Sequence, residues 1–511
     1  MMRTVIVGLD GATWSVLDPL IEAGKMPNLQ RLVATGVKKT LMSTVPPVTA
    51  PAWISFATGQ NPGQFGIYWF TRLDSDGYTL IPVNTAHVSN WIWDVLSGQG
   101  KTVGLLDIPM TFPPHPVNGV YVSGMGIPSL QSDFTCPSGL RDEILSIIPD
   151  YILDISWSDY SDDERLIHDV MEMTRQRVRL AHWFMDRMDF DFFMVVLVGI
   201  DRLSHKFWHS MTGEPRSAGD RIKDLLMDFY VQTDRAVGEI VDRFGGDALK
   251  IVVSDHGFGP FRRSINLNSW LHKNGFLAVR ASTQKFRHVA RKALELAGIS
   301  WNRLRDRAGR TARQVSPIDF DRTVAFSRLP DSIYINLEGR FVRGIVRPGA
   351  EYERAREQIC LALRDLRDPI TGEPVIEAVH VREDVYSGPF VEQAPDILFT
   401  CREGYYVHAF EPDAPIFTDS DAKASGEHRP EGILAWNGPG VPNNWLSTES
   451  IGITDVVPAV LDAMSVAVAE RDSRSTLRPG EGLQTASEAN TYSIQDRKVV
   501  ESRLRGLGYL D

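Results

Sequence analysis

The sequence predicts an α/β protein: a mostly parallel central sheet with helices on both faces, carrying cap or insert segments. Short apolar runs rich in β-branched residues recur along the chain, and helix-length amphipathic segments separate them. The 511 residues, 43% hydrophobic and 23% charged, have the composition of an ordinary globular chain and can bury a large core.

Taken in order, the strand-like runs are TVIVGL (4–9), TVGLLDI (102–108), FDFFMVVLVGI (190–200), LKIVVS (249–254) and EGILAWN (431–437). Helix-length segments include 15–34, 164–187, 217–243 and 351–366. The stretch from 126 to about 190 opens with a Ser-, Asp-, Ile- and aromatic-rich part (126–162) that breaks this alternation and suits a cap over a site. Residues 282–316 are basic, with Arg287, Arg291, Lys292, Arg303, Arg305 and Arg307 among them. That composition suits a solvated helical hairpin, or a lid with peripheral membrane or anionic-partner contact. The expected division is one catalytic domain over 1–467 with those inserts, a polar linker over 468–495, and a closing helix over 496–511.

Charge and cysteine content narrow the function. A net charge of −11 argues against a nucleic-acid polymer as partner, which needs a basic face. It leaves room for a small anionic substrate where bound cations dominate the local field. Cys136, Cys360 and Cys401 form no close pair, so neither a disulfide framework nor a zinc-knuckle spacing is expected. The opening MMRTVIVGLDG lacks the pattern of a secretory leader, and the apolar run 192–200 is about half the ~20 residues needed to cross a bilayer. A cytoplasmic location without a transmembrane segment is the expectation.

The chemistry lies just past the strands. TVIVGL is followed by Asp10, FFMVVLVGI by Asp201, and LKIVVS by Asp255 and His256. In an open parallel sheet the carboxyl ends of the strands form the ligand crevice, so these carboxylates are expected at one edge. Their mutual repulsion is most simply resolved by cations. His205 follows Asp201 by four residues and shares its face if a helix begins there, and His428 sits in the Gly-bounded loop GEHRPEG. The six residues divide into Asp10, Asp255 and His256, and Asp201, His205 and His428. Each set mixes carboxylate with imidazole, as divalent zinc prefers, with manganese or iron as alternatives. Two such ions ~3.5–4 Å apart can hold the attacking and leaving oxygens of a phosphoryl displacement.

Thr49, in VTAPAWISFATG, reads as the cap of a helix with a proline in its first turn. A helix start presents free N–H groups to a phosphate, and a hydroxyl bound to a cation there becomes a nucleophile.

The segments VGLDG, TAPAWISFATG, GIDRLSH, SDHGFGP and GEHRPEG, in this order, together with ITDVVPAVLDAM (453–464), resemble the alkaline phosphatase superfamily over residues 4–465. The closest branch is similar to the type I phosphodiesterase/nucleotide pyrophosphatase group. The resemblance implies an alkaline phosphatase-like fold and two divalent metals flanking a Thr nucleophile that forms a covalent phospho-enzyme. Asp10, Thr49, Asp255 and His256 would hold one metal, and Asp201, His205 and His428 the other. The sulfatase setting C/S-x-P-x-R is absent, since Pro51 is followed by Ala52 and Trp53. The phosphate-binding Asn of the pyrophosphatases has no counterpart, and Ala52 stands in that region. Arg262, Arg263 and Asn266 are candidate substitutes, with Trp53, Phe65, Tyr68 and Trp69 as walls of an apolar leaving-group pocket.

The expected function is therefore metal-dependent hydrolysis of phosphate esters, diesters above monoesters, through a phospho-threonine. The alternatives are phospho-group transfer to a sugar, glycerol or lipid hydroxyl, and a binding protein of the same fold without activity.

Overall fold

The structure is a computed structural model that describes residues 2–213, 219–280, 317–408, 412, 414–420, 424–466 and 492–510. The basic stretch 282–316, with the lid and membrane-contact expectations placed there, and most of the expected linker 468–495 lie outside the described residues.

The main sheet contains β1 (Thr4–Leu9), β2 (Val37–Met42), β3 (Val103–Ile108), β4 (Gly119–Ser123), β5 (Thr135–Cys136), β6 (Phe192–Leu197) and β7 (Leu249–Val253). Outside it, β8 (Gly257–Asn266) and β9 (Gly426–Arg429) pair with each other, and the main sheet resumes with β10 (Glu431–Asn437) and β11 (Ser450–Gly452). Its order is β11-β2-β10-β7-β1-β6-β3-β4-β5. The five central strands β7, β1, β6, β3 and β4 are parallel.

Strands β1, β3 and β6 are buried along their whole length, which is why they read as continuous apolar runs rather than alternating ones. Helices cover both faces. Helices α2 (Asp163–Met185) and α4 (Asp220–Val241) pack together, and α1 (Thr49–Thr58) packs with α5 (Val456–Ala463). Between β6 and α4 lies α3 (Gly199–Thr212), and α6 (Ile494–Gly506) is the last helix.

Two sequence expectations change. The run 431–437 is a strand, but β10 lies antiparallel between β7 and β2. The segment 15–34 is two helices, Trp14–Glu22 and Pro27–Ala34, with Pro27 at the start of the second, where a missing N–H costs nothing.

Gly8 couples packing to the site. A Cβ there would lie 2.5 Å from the Trp53 ring, so only glycine lets α1 settle this close to β1.

Among the described residues no helix is long and apolar enough to cross a membrane.

Candidate active site

Strand register brings the carboxylates together. β1 lies between β6 and β7, with Leu9 opposite Leu197 and Gly8 opposite Val253. Asp10, Asp201 and Asp255 follow these three adjacent strand ends. The backbone closes the edge: Asp10 N–H donates to Leu197 O at 3.1 Å, and Asp201 N–H to Asp10 O at 3.0 Å.

His205 lies one turn beyond Asp201 on α3, its Nε2 3.6 Å from Asp201 Oδ1. The β8–β9 pairing sets Phe258 opposite His428 and swings His428 over the same edge, where its ring stacks on His256 at 3.7 Å. His428 Nε2 lies 3.1 Å from Asp201 Oδ1 and 3.2 Å from His205 Nε2. His256 Nε2 lies 3.3 Å from Asp255 Oδ2, 3.7 Å from Asp10 Oδ1 and 4.0 Å from Asp201 Oδ1. The Thr49 hydroxyl sits 3.1 Å from His256 Nε2.

All seven residues thus meet in one buried cluster, and His256 faces both sets. The ligand atoms of Asp10, Asp255 and His256 lie within 4.8 Å of one another, as do those of Asp201, His256 and His428.

The three carboxylates, His256 and His428 are each held from outside by one atom and offer another to the centre. Asp10 Oδ2 accepts from Trp53 Nε1 at 2.9 Å, and Asp255 Oδ1 accepts from Gly11 N–H at 3.3 Å. Gly11 can make that turn because its φ is +72°. Asp201 Oδ2 accepts from Arg202, which also grips Asp154 at 2.9 and 3.1 Å.

Because a carbonyl can only accept, His428 Nδ1 donates to Pro47 O at 3.1 Å and His256 Nδ1 donates to Gly257 O at 3.1 Å. With Nδ1 so engaged, each ring presents Nε2 inward, the outer-sphere arrangement that orients metal-binding imidazoles. His205 Nδ1 faces the half-buried Glu427 carboxyl at 4.0 Å.

The electrostatics match. Burial, then the Asp201 charge, pushes Asp10 well above the usual carboxylate range. Burial, then Asp10 and Asp201, does the same to Asp255. Burial opposes ionisation of Asp201 as well, but the adjoining His205, Arg202 and His428 override it and hold that carboxyl low. Burial pushes His205 down to about 3 and His256 well below its ordinary value, so both rings are neutral near pH 7. With His205 neutral, the permanent charge of Arg202 is the lasting counter-ion of Asp201.

Asp10 Oδ1 and Asp255 Oδ2 are buried and have no hydrogen-bond partner. Inward-facing orphan oxygens among imidazole lone pairs are a donor set that divalent cations fit.

Cations bind these carboxyls ionised, and the upward shift of Asp10 and Asp255 favours their protonated form, so metal binding should release protons and weaken as pH falls. Calorimetric titration of apoprotein with zinc, in buffers of different ionisation enthalpy, reads that release. Equal heats in all buffers would deny it.

Replacing Trp53 by Phe removes the donor that fixes Asp10. Metal affinity should fall about 10–100-fold while the fold persists, measured by competition with a chromogenic chelator.

The structure amends several sequence assignments. Val48 is the helix cap and Thr49 the first helical residue, which frees its hydroxyl for His256. Ala52 offers nothing to a ligand, since its N–H bonds Val48 O and its methyl is fully buried. Arg263 is tied to Asp368 at 2.5 Å and Asp419 at 3.0 Å, and Arg262 lies exposed against Gly404. Both are roughly 20 Å along β8 from His256 at ~3.3 Å per residue. Asn266 caps the next helix at Ser269 N. Of the proposed walls, Trp53 points to Asp10, Tyr68 bonds Phe390 O, and only Trp69 lines the adjoining cleft. That cleft is bounded by Trp69, Tyr405, Tyr406, Asp331, Glu427 and His428.

For Arg202 the available signal was its place inside GIDRLSH beside the candidate ligand Asp201, since a buried guanidinium there has to be paired. Trp157, which stacks on His205 at 5.6 Å, carries no such signal.

The sequence matches the family described as Type I phosphodiesterase / nucleotide pyrophosphatase over residues 4–429. The chain belongs to that family. It is accordingly a phosphoester hydrolase with an alkaline phosphatase-like fold, in a metal-dependent family.

Solved structures agree on the fold. Phosphonoacetate hydrolase from Sinorhizobium meliloti 1021, in complex with phosphonoformate, superposes with a TM-score of 0.55 at 17% identity, covering 91% of this chain and 96% of that one. The same enzyme with phosphonoacetate gives 0.53 at 17%, again over 91% and 96%. Murine ectonucleotide pyrophosphatase / phosphodiesterase 5, as an inactive threonine-to-alanine variant with AMP, gives 0.50 at 13%, over 92% and 96%. No curated protein matches the sequence.

Proposed function

We propose that this family member hydrolyses phosphodiesters by double displacement, with Thr49 as the nucleophile. The observation that carries the reading is the Thr49 hydroxyl, 3.1 Å from His256 Nε2 and beside the orphan oxygens of Asp10 and Asp255.

Asp10, Asp255 and His256 would hold one divalent cation, with Thr49, and Asp201, His205 and His428 a second; zinc is the first candidate. Cations there supply positive charge at the attacking and leaving oxygens. Thr49 Oγ forms a bond to phosphorus while the ester P–O bond opposite breaks, and the leaving alcohol departs with a proton. Water then cleaves the Thr49–O–P ester, releasing a phosphomonoester and restoring the hydroxyl. The start of α1 directs its first N–H groups at the phosphoryl oxygens. Trp69, Tyr405 and Tyr406 give the cleft aromatic walls for the ester's organic group.

A relative described as inactive when a threonine becomes alanine, and crystallised with AMP, supports both the residue type and a small phosphate ligand. The three free thiols accord with a cytoplasmic protein.

The test is a panel of aryl phosphodiesters, monoesters and sulfates after reconstitution with each metal. Diester cleavage above the others, abolished by chelator and restored by one cation, is expected. Monoester-only or sulfate-only turnover would refute the reading.

A further inference from the structure

The last described segment enters the site. Helix α6 is fastened to the body from several directions. Tyr492 Oη donates to Gly126 O at 3.0 Å, Ser158 Oγ to Gly506 O at 2.6 Å and Trp157 Nε1 to Leu507 O at 3.3 Å. Trp157 is also the ring stacked on His205, so the anchor of this segment and a wall of the site are one residue. Gly508, at φ +88°, then turns the chain inward.

Tyr509 follows. Its carbonyl accepts from Trp69 Nε1 at 3.1 Å, and its ring stacks on Phe70 at 4.1 Å. Its ring centroid is 6.1 Å from that of His205 and 5.9 Å from that of His428. The phenol oxygen lies 3.5 Å from His428 Nε2, and the His428 ring stacks on His256, the hydrogen-bonding neighbour of the Thr49 hydroxyl. The residue is 7% exposed.

A tyrosine that only packs can bury its ring and leave its hydroxyl in water, whereas a buried hydroxyl finds a partner. Here the hydroxyl is delivered to His428, within the cluster that holds the nucleophile. His428 Nε2 faces the cation position, so a ligated His428 no longer accepts from the phenol. The O–H is then left for an oxygen placed between the phenol and Thr49. None of Ala52, Arg262 and Arg263 supplies a donor at this point, for the reasons given above.

We propose that Tyr509 is a catalytic residue whose hydroxyl donates a hydrogen bond to a non-bridging oxygen of the phosphoryl group being transferred to Thr49. The proposal rests on the double-displacement reading and adds the group that orients and neutralises the phosphoryl oxygen. It also makes the last described segment part of the active site, so the site is assembled from both ends of the described chain.

The test compares the full-length, metal-loaded wild type with Tyr509→Phe, which removes only the oxygen. Three quantities are read: kcat and KM on an aryl phosphodiester, the Kd of orthovanadate by calorimetry, and metal content with the thermal midpoint. The expected result is a fall in kcat on the order of 10²-fold, as for loss of one oxyanion donor. KM should change far less, vanadate should bind more weakly, and metal content and midpoint should stay as in wild type.

Unchanged kcat and unchanged vanadate affinity would overturn the proposal and leave Tyr509 a packing residue. A faster variant would also overturn it, showing that the segment occludes the site. Wild type inert toward every phosphate ester would refute the hydrolase mechanism instead. The calorimetric arm would then still decide whether Tyr509 holds a phosphoryl-like anion.

Discussion

Thr49→Ala is expected to lower kcat by roughly 10³–10⁶-fold, the range seen when a covalent nucleophile is removed. Thr49 is fully buried at the first turn of α1, so the change deletes one hydroxyl without opening the helix. The hydroxyl does not cap the helix, Val48 occupying that position. The cost to stability should therefore be small, with the thermal midpoint close to wild type. Three carboxylates and three imidazoles remain to bind cations, so metal content should persist. The informative result is the pair of measurements, steady-state kinetics and metal content on one preparation. Full activity in a metal-replete Thr49→Ala protein would remove the nucleophile assignment.

His256→Ala should be more disruptive, since this ring touches everything. Its Nε2 is within 4.0 Å of Asp10, Asp201 and Asp255 and 3.1 Å from Thr49. Without it, three buried carboxylates face one another with one fewer neutral donor between them. The expected losses are at least one metal equivalent, by elemental analysis of the purified protein, and activity beyond the ~10–100-fold typical of an outer-sphere partner. The Trp53→Phe prediction supplies that outer-sphere comparison. A His256→Ala protein with full metal content would show that the ring packs rather than ligates.

Much of this was legible because chemistry follows strand ends. Asp10, Asp201 and Asp255 each close an apolar run, and parallel strands of fixed direction put their carboxyl ends at one edge. His205 was legible from its four-residue spacing, which a helix turns into a shared face. The direction of β10 was not legible, since its five buried residues, 432–436, bury equally well either way. Strand β2, VKKTLM, was missed because its half-exposed lysines broke the apolar pattern near the sheet margin.

The cap at Thr49 was read one residue late. Val48 is extended, with φ −130° and ψ 136°, and a β-branched apolar side chain gives no capping signal. Arg263 looked free in sequence because its partners, Asp368 and Asp419, are more than a hundred residues away. Distance along the chain also hid Tyr509, which lies beside His428 because the end of α6 is fastened at Trp157.

The most direct measurement is the stereochemical course at phosphorus. One diastereomer of a chiral phosphorothioate diester is hydrolysed in isotopically labelled water, and the configuration of the product is determined. Attack by Thr49 followed by attack of water makes two in-line inversions, so the account predicts net retention. Net inversion would mean that water attacks the substrate directly, with Thr49 never bonded to phosphorus, and would contradict it.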